Sequence, residues 1–330
     1  MSEKKVGVVG GGSWATAIAK ILCENHETIN WWVRNRVKKD FILRKGHNPD
    51  YLSSVKFNPA QLNITTDINE LIQQSDWVIL AVPSIHLESC LSNLNTPLDG
   101  KFIVSSIKGI VPGHLKIVGE YLHEQFGLDY ANFGVLSGPC HAEEVALGRL
   151  SYLTVAAQDK TLAGMAAKGL ICDYIKVNLS KDVFGIEYAS VLKNIYAIAA
   201  GIAHGLGYGD NFQAVLMSNA TREMNRITQN VLPIKRDVTK SAYLGDLLVT
   251  GYSNFSRNRM FGNMIGKGYT VKSAILEMSM VAEGYYAAKN VYRFKKTTEV
   301  KAPILAAVYR ILYKDENPKV VIERLAKKLN

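Results

Sequence analysis

The sequence predicts an α/β protein, with a doubly wound, mostly parallel sheet over residues 1–181 and an all-helical domain over residues 182–330. Three observations predict it. Short β-branched runs alternate with helical stretches in the first half, a glycine run joins the first strand to the first helix, and strand signals stop after about Lys181. At 330 residues the chain suits two domains of ordinary size.

The runs "VGVV" (6–9), "TINWWV" (28–33), "WVILAV" (77–82), "FIVSS" (102–106), "FGVLSG" (133–138) and "YLTVAA" (152–157) are mostly apolar. Strands of a parallel sheet covered on both faces have that composition. Between them, residues 13–24, 67–74, 84–94 and 113–126 carry helical spacing. Beyond Lys181, "VFGIEYASVLKNIYAIAAGIAHGLG", "FQAVLMSNATREMNRIT", "VKSAILEM" and "PILAAVYRILY" all place apolar residues at helical intervals. No linker rich in Pro, Gly or Ser divides the halves, which predicts that they pack rigidly and share a cleft.

The formal net charge of +10 admits nucleic acid, an acidic membrane surface or small anions as partners. Basic residues are scattered, with modest clusters at 37–45, 234–240 and 324–328. Aromatic residues do not alternate with them, as a single-strand-binding surface requires. Most of these charges therefore read as solvated, the rest as steering an anionic substrate, and nucleic acid is set aside. Cys23, Cys90, Cys140 and Cys172 show no CxxC spacing, which argues against a disulfide framework or a zinc site and fits a reducing compartment. His86, His141 and His204 have no ligand spacing, so no metal is expected. "MSEKKVGVV" enters a strand at once, leaving no room for a signal peptide, and no apolar run reaches membrane-spanning length. A cytoplasmic protein without membrane insertion is expected.

Gly10-Gly11-Gly12-Ser13-Trp14-Ala15 has the form GxGxxA, placed between a strand and a helix at the start of a βαβ unit. Gly10 permits the tight turn, Gly12 lets a pyrophosphate approach the backbone, and Ala15 lets the helix close on the sheet. The helix start at Ser13 and Trp14 then receives the anion. This is a Rossmann-type signature for a dinucleotide. An acid at the end of the second strand would bond the ribose hydroxyls of NAD, whereas an arginine pairs with the 2′-phosphate of NADP. "WWVRN" puts Arg34 there, so NADP(H) is favoured and NAD(H) is also accepted. Asn35 and Arg36 leave the preference unsettled.

Five further stretches carry more: "SSIKGI" (105–110), "LSGPCHAEEVA" (136–146), "LKNIYAIAAG" (192–201), "YLGDLLVTGYSNFSRNRMFG" (243–262) and "VAEGYYAAKNV" (281–291). With KG, LSGP, LKN, LGDL and SRN in this order, the chain resembles the NAD(P)-dependent glycerol-3-phosphate dehydrogenase family from the glycine turn almost to the C-terminus. The resemblance implies reversible reduction of dihydroxyacetone phosphate, a small phosphorylated three-carbon substrate, to sn-glycerol 3-phosphate. In bacteria that product feeds glycerophospholipid synthesis.

The resemblance implies these residue roles. Lys193 matches the acid/base lysine, and its apolar helix would lower its pKa by desolvation. Outside the pattern such a lysine snorkels to solvent. Asn194 would hold the substrate or the lysine. Lys108 would approach cofactor and substrate together. Asp246 would orient Lys193 or accept a substrate hydroxyl, with a helix N-cap as its structural alternative. Thr250, four residues on, would share its face. Ser256, Arg257 and Asn258 supply donors for a phosphate monoester, with Arg259 and Arg222 as rivals to Arg257. Gly138 and Cys140 match substrate positions. Ser13, Trp14, Arg34, Tyr51, Lys108, Ala142, Arg257, Val281 and Glu283 match cofactor positions.

Three departures stand out: Val111 where the family often has an acid, Cys140-His141-Ala142 where Ser-Phe-Ala is common, and "KSAY" where glycine is more frequent. All the charge-bearing groups are retained. Two alternatives remain: a 2-hydroxy-acid or ketopantoate-type reductase whose arginine takes a carboxylate, and a non-catalytic dinucleotide sensor. Lys108, Lys193, Asp246 and Arg257 together favour the phosphate-specific enzyme. No signal sets the oligomeric state, and a homodimer is only the base-rate expectation.

Overall fold

The computed structural model describes residues 4–278 and 282–330. Two compact units are present: residues up to 107 with 116–183, and residues 108–115 with 184–330. The first alternates strands and helices in the order β1 (Val6–Val9), α1 (Ser13–Cys23), β2 (Ile29–Trp32), α2 (Arg36–Lys45), β3 (Leu62–Thr65), α3 (Ile68–Gln74), β4 (Trp77–Leu80) and α4 (Ser84–Leu91). It continues with β5 (Phe102–Ser105), α5 (Val118–Phe126), β6 (Phe133–Ser137), α6 (Ala142–Ala146), β7 (Ser151–Ala157), α7 (Lys160–Leu170) and β8 (Ile175–Ser180).

The eight strands form one sheet in the order β3-β2-β1-β4-β5-β6-β7-β8, parallel throughout except between β6 and β7. Every residue of β1, β2, β4, β5 and β6 is buried, which is why these strands read as continuous apolar runs. Ile18 and Leu22 from α1 pack with Trp31 and Trp77 in the core. The chain leaves β1 for β2 and β3, then returns to place β4 on the other side of β1. Ligands of such sheets bind at the carboxyl ends of the strands flanking that reversal. Gly10 stands there with φ +138°, and a Cβ on it would lie 2.4 Å from the Ala81 carbonyl oxygen. Only glycine fits.

Two strands escape the apolar-run criterion. β3 and β8 are the edge strands of the sheet, and the exposed Asn63 in the first and the exposed Lys176 and Asn178 in the second break the run. The helix expected from residue 113 starts instead at Val118, because Gly113 and Leu115 adopt φ +86° and +60°. Residues 108–115 group with the second unit.

That unit comprises α8 (Val183–Gly205), α9 (Asp210–Val231), α10 (Asp246–Tyr252), α11 (Arg257–Gly266), α12 (Val271–Glu277), α13 (Glu283–Thr298), α14 (Pro303–Tyr313) and α15 (Pro318–Ala326). A π-helical turn, Ser241–Gly245, leads into α10. Beyond Ser180 every regular element among the described residues is helical. α8 is apolar around most of its circumference and is buried accordingly. On α9, the fully buried Glu223 carboxylate accepts the Ile304 and Leu305 N–H groups that start α14, at 2.8 and 2.9 Å. Burial pushes that carboxyl up to about 7, against the pull of those two N–H donors. No described helix is long and apolar enough to cross a membrane.

α8 and α11 meet backbone to backbone. A Cβ on Gly201 would fall 2.0 Å from the Arg259 carbonyl oxygen, and one on Gly262 would fall 2.2 Å from that of Ile198. Gly205 and Gly266 repeat the arrangement one turn on, at 2.4 Å from Asn263 O and 2.3 Å from Ile202 O. Gly201→Ala should therefore destabilise the protein by about 1–3 kcal/mol through overpacking. Gly164→Ala in α7, where the added methyl meets nothing within 4 Å, should instead be neutral or stabilise by up to about 1 kcal/mol. Chemical denaturation of both variants checks the contrast, and equal behaviour would contradict the close crossing.

Candidate active site

At the carboxyl end of β1, Gly12 is extended and caps α1, whose first bond runs from the Thr16 N–H to the Gly12 carbonyl at 3.0 Å. The N–H groups of Ser13, Trp14 and Ala15 thus have no acceptor within the helix. A Cβ on Gly12 would meet no atom within 4 Å, so the backbone is open to a ligand there. Free amides, an open approach and the helix dipole fit the pyrophosphate of a dinucleotide.

The carbonyls of the turn face protein donors. Gly10 O accepts from the Trp31 indole at 2.7 Å, and Gly11 O accepts from Lys38 Nζ at 3.1 Å and Asn48 Nδ2 at 3.2 Å. Gly12 O accepts from the Thr16 hydroxyl at 2.9 Å. The sequence did not single out Trp31, Lys38 or Asn48, which lie 21, 27 and 37 residues from their acceptors. Lys38 belongs to a cluster read as solvated. It is instead mostly covered, pairs with Asp50 at 2.7 Å and lies 5.1 Å from the centre of the Tyr51 ring. Arg34, just past β2, lines a cavity of about 470 Å³ with Trp32, Asp67, Ser89, Cys90 and Asn93.

Later in the same unit, Gly138 has φ +132°, and a Cβ would sit 2.4 Å from Tyr152 O. The Cys140 thiol donates to that same carbonyl oxygen at 3.4 Å. Ala142 is buried at the first position of α6.

The second unit holds a different kind of cluster. Lys193 projects from buried α8, and its Nζ donates to Asp246 Oδ1 and, at 2.9 Å, to the Thr250 hydroxyl. Asp246 Oδ2 accepts from Lys108 Nζ at 2.9 Å. Thr250 lies one turn after Asp246 on α10, and its hydroxyl donates to the Asp246 carbonyl at 2.6 Å. Asp246 does not serve as an N-cap, because its carboxylate is taken by the two ammonium groups. Asn194 binds main chain instead of a lysine ammonium. Its Nδ2 donates to the Lys108 carbonyl at 2.7 Å and so ties the 108–115 segment to α8.

Lys193 and Asp246 are 5% and 1% exposed. Burial lowers the Lys193 ammonium from its ordinary range to about 7, opposed by Asp246 and reinforced by Lys108. Burial pushes the Asp246 carboxyl up, yet Lys108 and Lys193 outweigh it and hold the group below the usual carboxylate value. A lysine that loses its proton near neutrality, beside a fixed carboxylate, is suited to acid/base work.

On α11, Ser256 is the N-cap and accepts the Arg259 N–H at 3.3 Å, and Arg257 is the first helical residue, half-buried. The buried Asn258 accepts the Gly284 N–H at 2.9 Å, linking α11 to the start of α13, where Glu283 stands. Arg259 donates to Asn254 Oδ1 at 3.2 Å and Arg222 to Asn330 Oδ1 at 2.7 Å. Val281 lies outside the described residues. Among the described residues no three His, Cys, Asp or Glu side chains are grouped to hold a metal.

Two family models match the chain in order: the NAD-dependent glycerol-3-phosphate dehydrogenase N-terminus over residues 5–163 and the C-terminus of the same family over 182–323. A glycerol-3-phosphate dehydrogenase [NAD(P)+] of Oceanobacillus iheyensis is 35% identical, with 98% of this chain and 93% of that protein covered. One from Staphylococcus carnosus is 33% identical over 97% of this chain and 98% of its own length. The crystal structure of glycerol-3-phosphate dehydrogenase from Coxiella burnetii superposes with a TM-score of 0.89 at 27% identity and covers 98% of each chain. Matched along both units and over nearly the full length of these relatives, the chain belongs to the NAD-dependent glycerol-3-phosphate dehydrogenase family.

Proposed function

We propose that this protein reduces dihydroxyacetone phosphate to sn-glycerol 3-phosphate in the cytoplasm, with NADPH favoured over NADH, and so supplies glycerophospholipid synthesis. The buried contact of Lys193 with Asp246, with Lys108 on the second carboxylate oxygen, carries this reading. It provides a cationic proton donor where reduction of a ketone creates negative charge.

Gly10, Gly12, Ser13 and Trp14 would hold the pyrophosphate of the dinucleotide, and Arg34 its 2′-phosphate, with Tyr51, Ala142 and Glu283 as further contacts. When bound, the reduced dinucleotide supplies a hydride to the ketone carbon. Lys193 gives its Nζ proton to the ketone oxygen as charge develops there, and recovers it in the reverse reaction. Asp246 and the Thr250 hydroxyl fix the direction of that nitrogen. Lys108 keeps a second positive charge beside it, which favours the oxyanion and lowers the affinity of Lys193 for its proton. Arg257, Ser256 and Asn258 hold the substrate phosphate at the start of α11, where the helix dipole adds to the guanidinium charge. Gly138 and Cys140 offer small groups for backbone approach.

Lys193→Ala should lower kcat by about 10²–10⁴-fold while the dinucleotide dissociation constant stays within a factor of two or so. Retained turnover would remove Lys193 from the reaction. Reduction requires Lys193 protonated, so kcat should fall as pH rises past about 7, and the oxidation rate should rise across the same interval. Asp246→Asn removes the charge that opposes the burial effect, so the pH–rate profiles of both directions should move to lower pH; an unmoved profile would contradict the coupling.

Substrate and cofactor choice are read in one assay series that follows reduced-cofactor absorbance. Dihydroxyacetone phosphate should turn over far faster than dihydroxyacetone, with the difference largely lost in Arg257→Ala. Arg34→Ala should cost NADPH about tenfold or more in kcat/KM relative to NADH. Equal rates with both ketones would show that no phosphate is read.

A further inference from the structure

We infer that Asn48, assisted by Lys38, is a positioning residue for the pyrophosphate: it holds the carbonyls of the glycine turn from behind and so aims the turn's N–H groups at the anion. The inference rests on the dinucleotide reading given above.

In a trans peptide the carbonyl of one residue and the N–H of the next point in opposite directions. Gly10, Gly11 and Gly12 each have their carbonyl oxygen anchored by a donor from the protein: Trp31, Asn48 with Lys38, and Thr16. Fixing three successive carbonyls fixes the peptide planes that carry the N–H groups of Gly11, Gly12 and Ser13, and Gly12 leaves the approach to the backbone open. Amides held in fixed planes at a turn that opens a helix make an anion site together with the helix's own first N–H groups. Three glycines in a row have more backbone freedom than any other tripeptide, so without anchors the arrival of the anion would have to order them.

Asn48 has the widest reach among these anchors. It is wholly buried, and both amide hydrogens are used, one on Gly11 O at 3.2 Å and one on the Thr16 hydroxyl at 2.8 Å. That hydroxyl passes its own hydrogen to Gly12 O at 2.9 Å, so one side chain governs two of the three peptides. Its Oδ1 accepts the Asp50 N–H at 3.0 Å, which fixes the amide's orientation and the segment that carries Tyr51. Lys38 completes the hold on Gly11 O while Asp50 pins its ammonium.

The test measures dissociation constants of NADPH and NADH for the full-length protein by tryptophan fluorescence, together with steady-state kinetics on dihydroxyacetone phosphate. If the unaltered protein binds neither dinucleotide, the underlying reading fails and this inference with it. If it binds, Asn48→Ala and the near-isosteric Asn48→Asp, which lacks the amide donors, should weaken both dinucleotides about tenfold. The cofactor KM should rise in step, while kcat at saturating cofactor and the KM for the ketone phosphate hold. Unchanged dissociation constants in a variant with the native circular dichroism spectrum would overturn the inference. So would a fall in kcat with no change in cofactor KM. If both Asn48 variants fail to fold, Lys38→Met decides: severalfold weaker binding of both dinucleotides supports the anchoring of Gly11 O, and unchanged binding overturns it.

Discussion

Two ammonium groups and one carboxylate share a space from which water is almost excluded, and the architecture of the helical unit follows from keeping them there. Desolvating three charges is costly, and a hydrophobic replacement would usually be the more stable choice. The arrangement persists because several elements converge on it. α8 is apolar almost all round, so its lysine has no route to solvent. The π-helical turn before α10 delivers Asp246 at a helix start. Asn194 binds the backbone beneath Lys108, which fixes the second cation to the helix that carries the first.

Under the proposed function the two units would meet anions by different physics. In the sheet unit, backbone amides at a strand-to-helix turn would do most of the work, directed by geometry and by the carbonyls' partners. In the helical unit, a few formal charges are grouped out of water and tuned by burial and by one another. A net charge of +10 spread over the surface contributes to neither directly. What matters is the small number of cations removed from water, where each interaction is screened least.

Much of this was legible in the sequence, for identifiable reasons. Buried strands and amphipathic or apolar helices leave periodic traces, so the strands between the two sheet edges and the helical second half could be read directly. Lys193 also lies in a segment whose helical spacing could be read; Asp246 and Thr250 were marked by the family resemblance, and the four-residue step between them fits the face they share on α10. β8 was hidden because an edge strand alternates lysine and asparagine with its apolar residues. The membership of residues 108–115 in the helical unit, and the hold of Asn194 on Lys108, depend on contacts across 86 residues that no local pattern records. Lys38 reads as one of several surface lysines, and only the fold reveals that its nitrogen reaches the glycine turn.

The glycine-lined crossing of α8 and α11 bears on how this protein can change. Most packed helices drift over time by trading bulk, one side chain growing as its neighbour shrinks, and their axes slide accordingly. Here main chain touches main chain, so there is nothing to trade. α11 carries Ser256, Arg257 and Asn258 at its start, and α8 carries Lys193 two turns before the crossing. The spacing between those groups is thus welded, and under the proposed function retuning toward a longer or shorter substrate would come from exchanging residues at the tips, not from moving the helices that bear them.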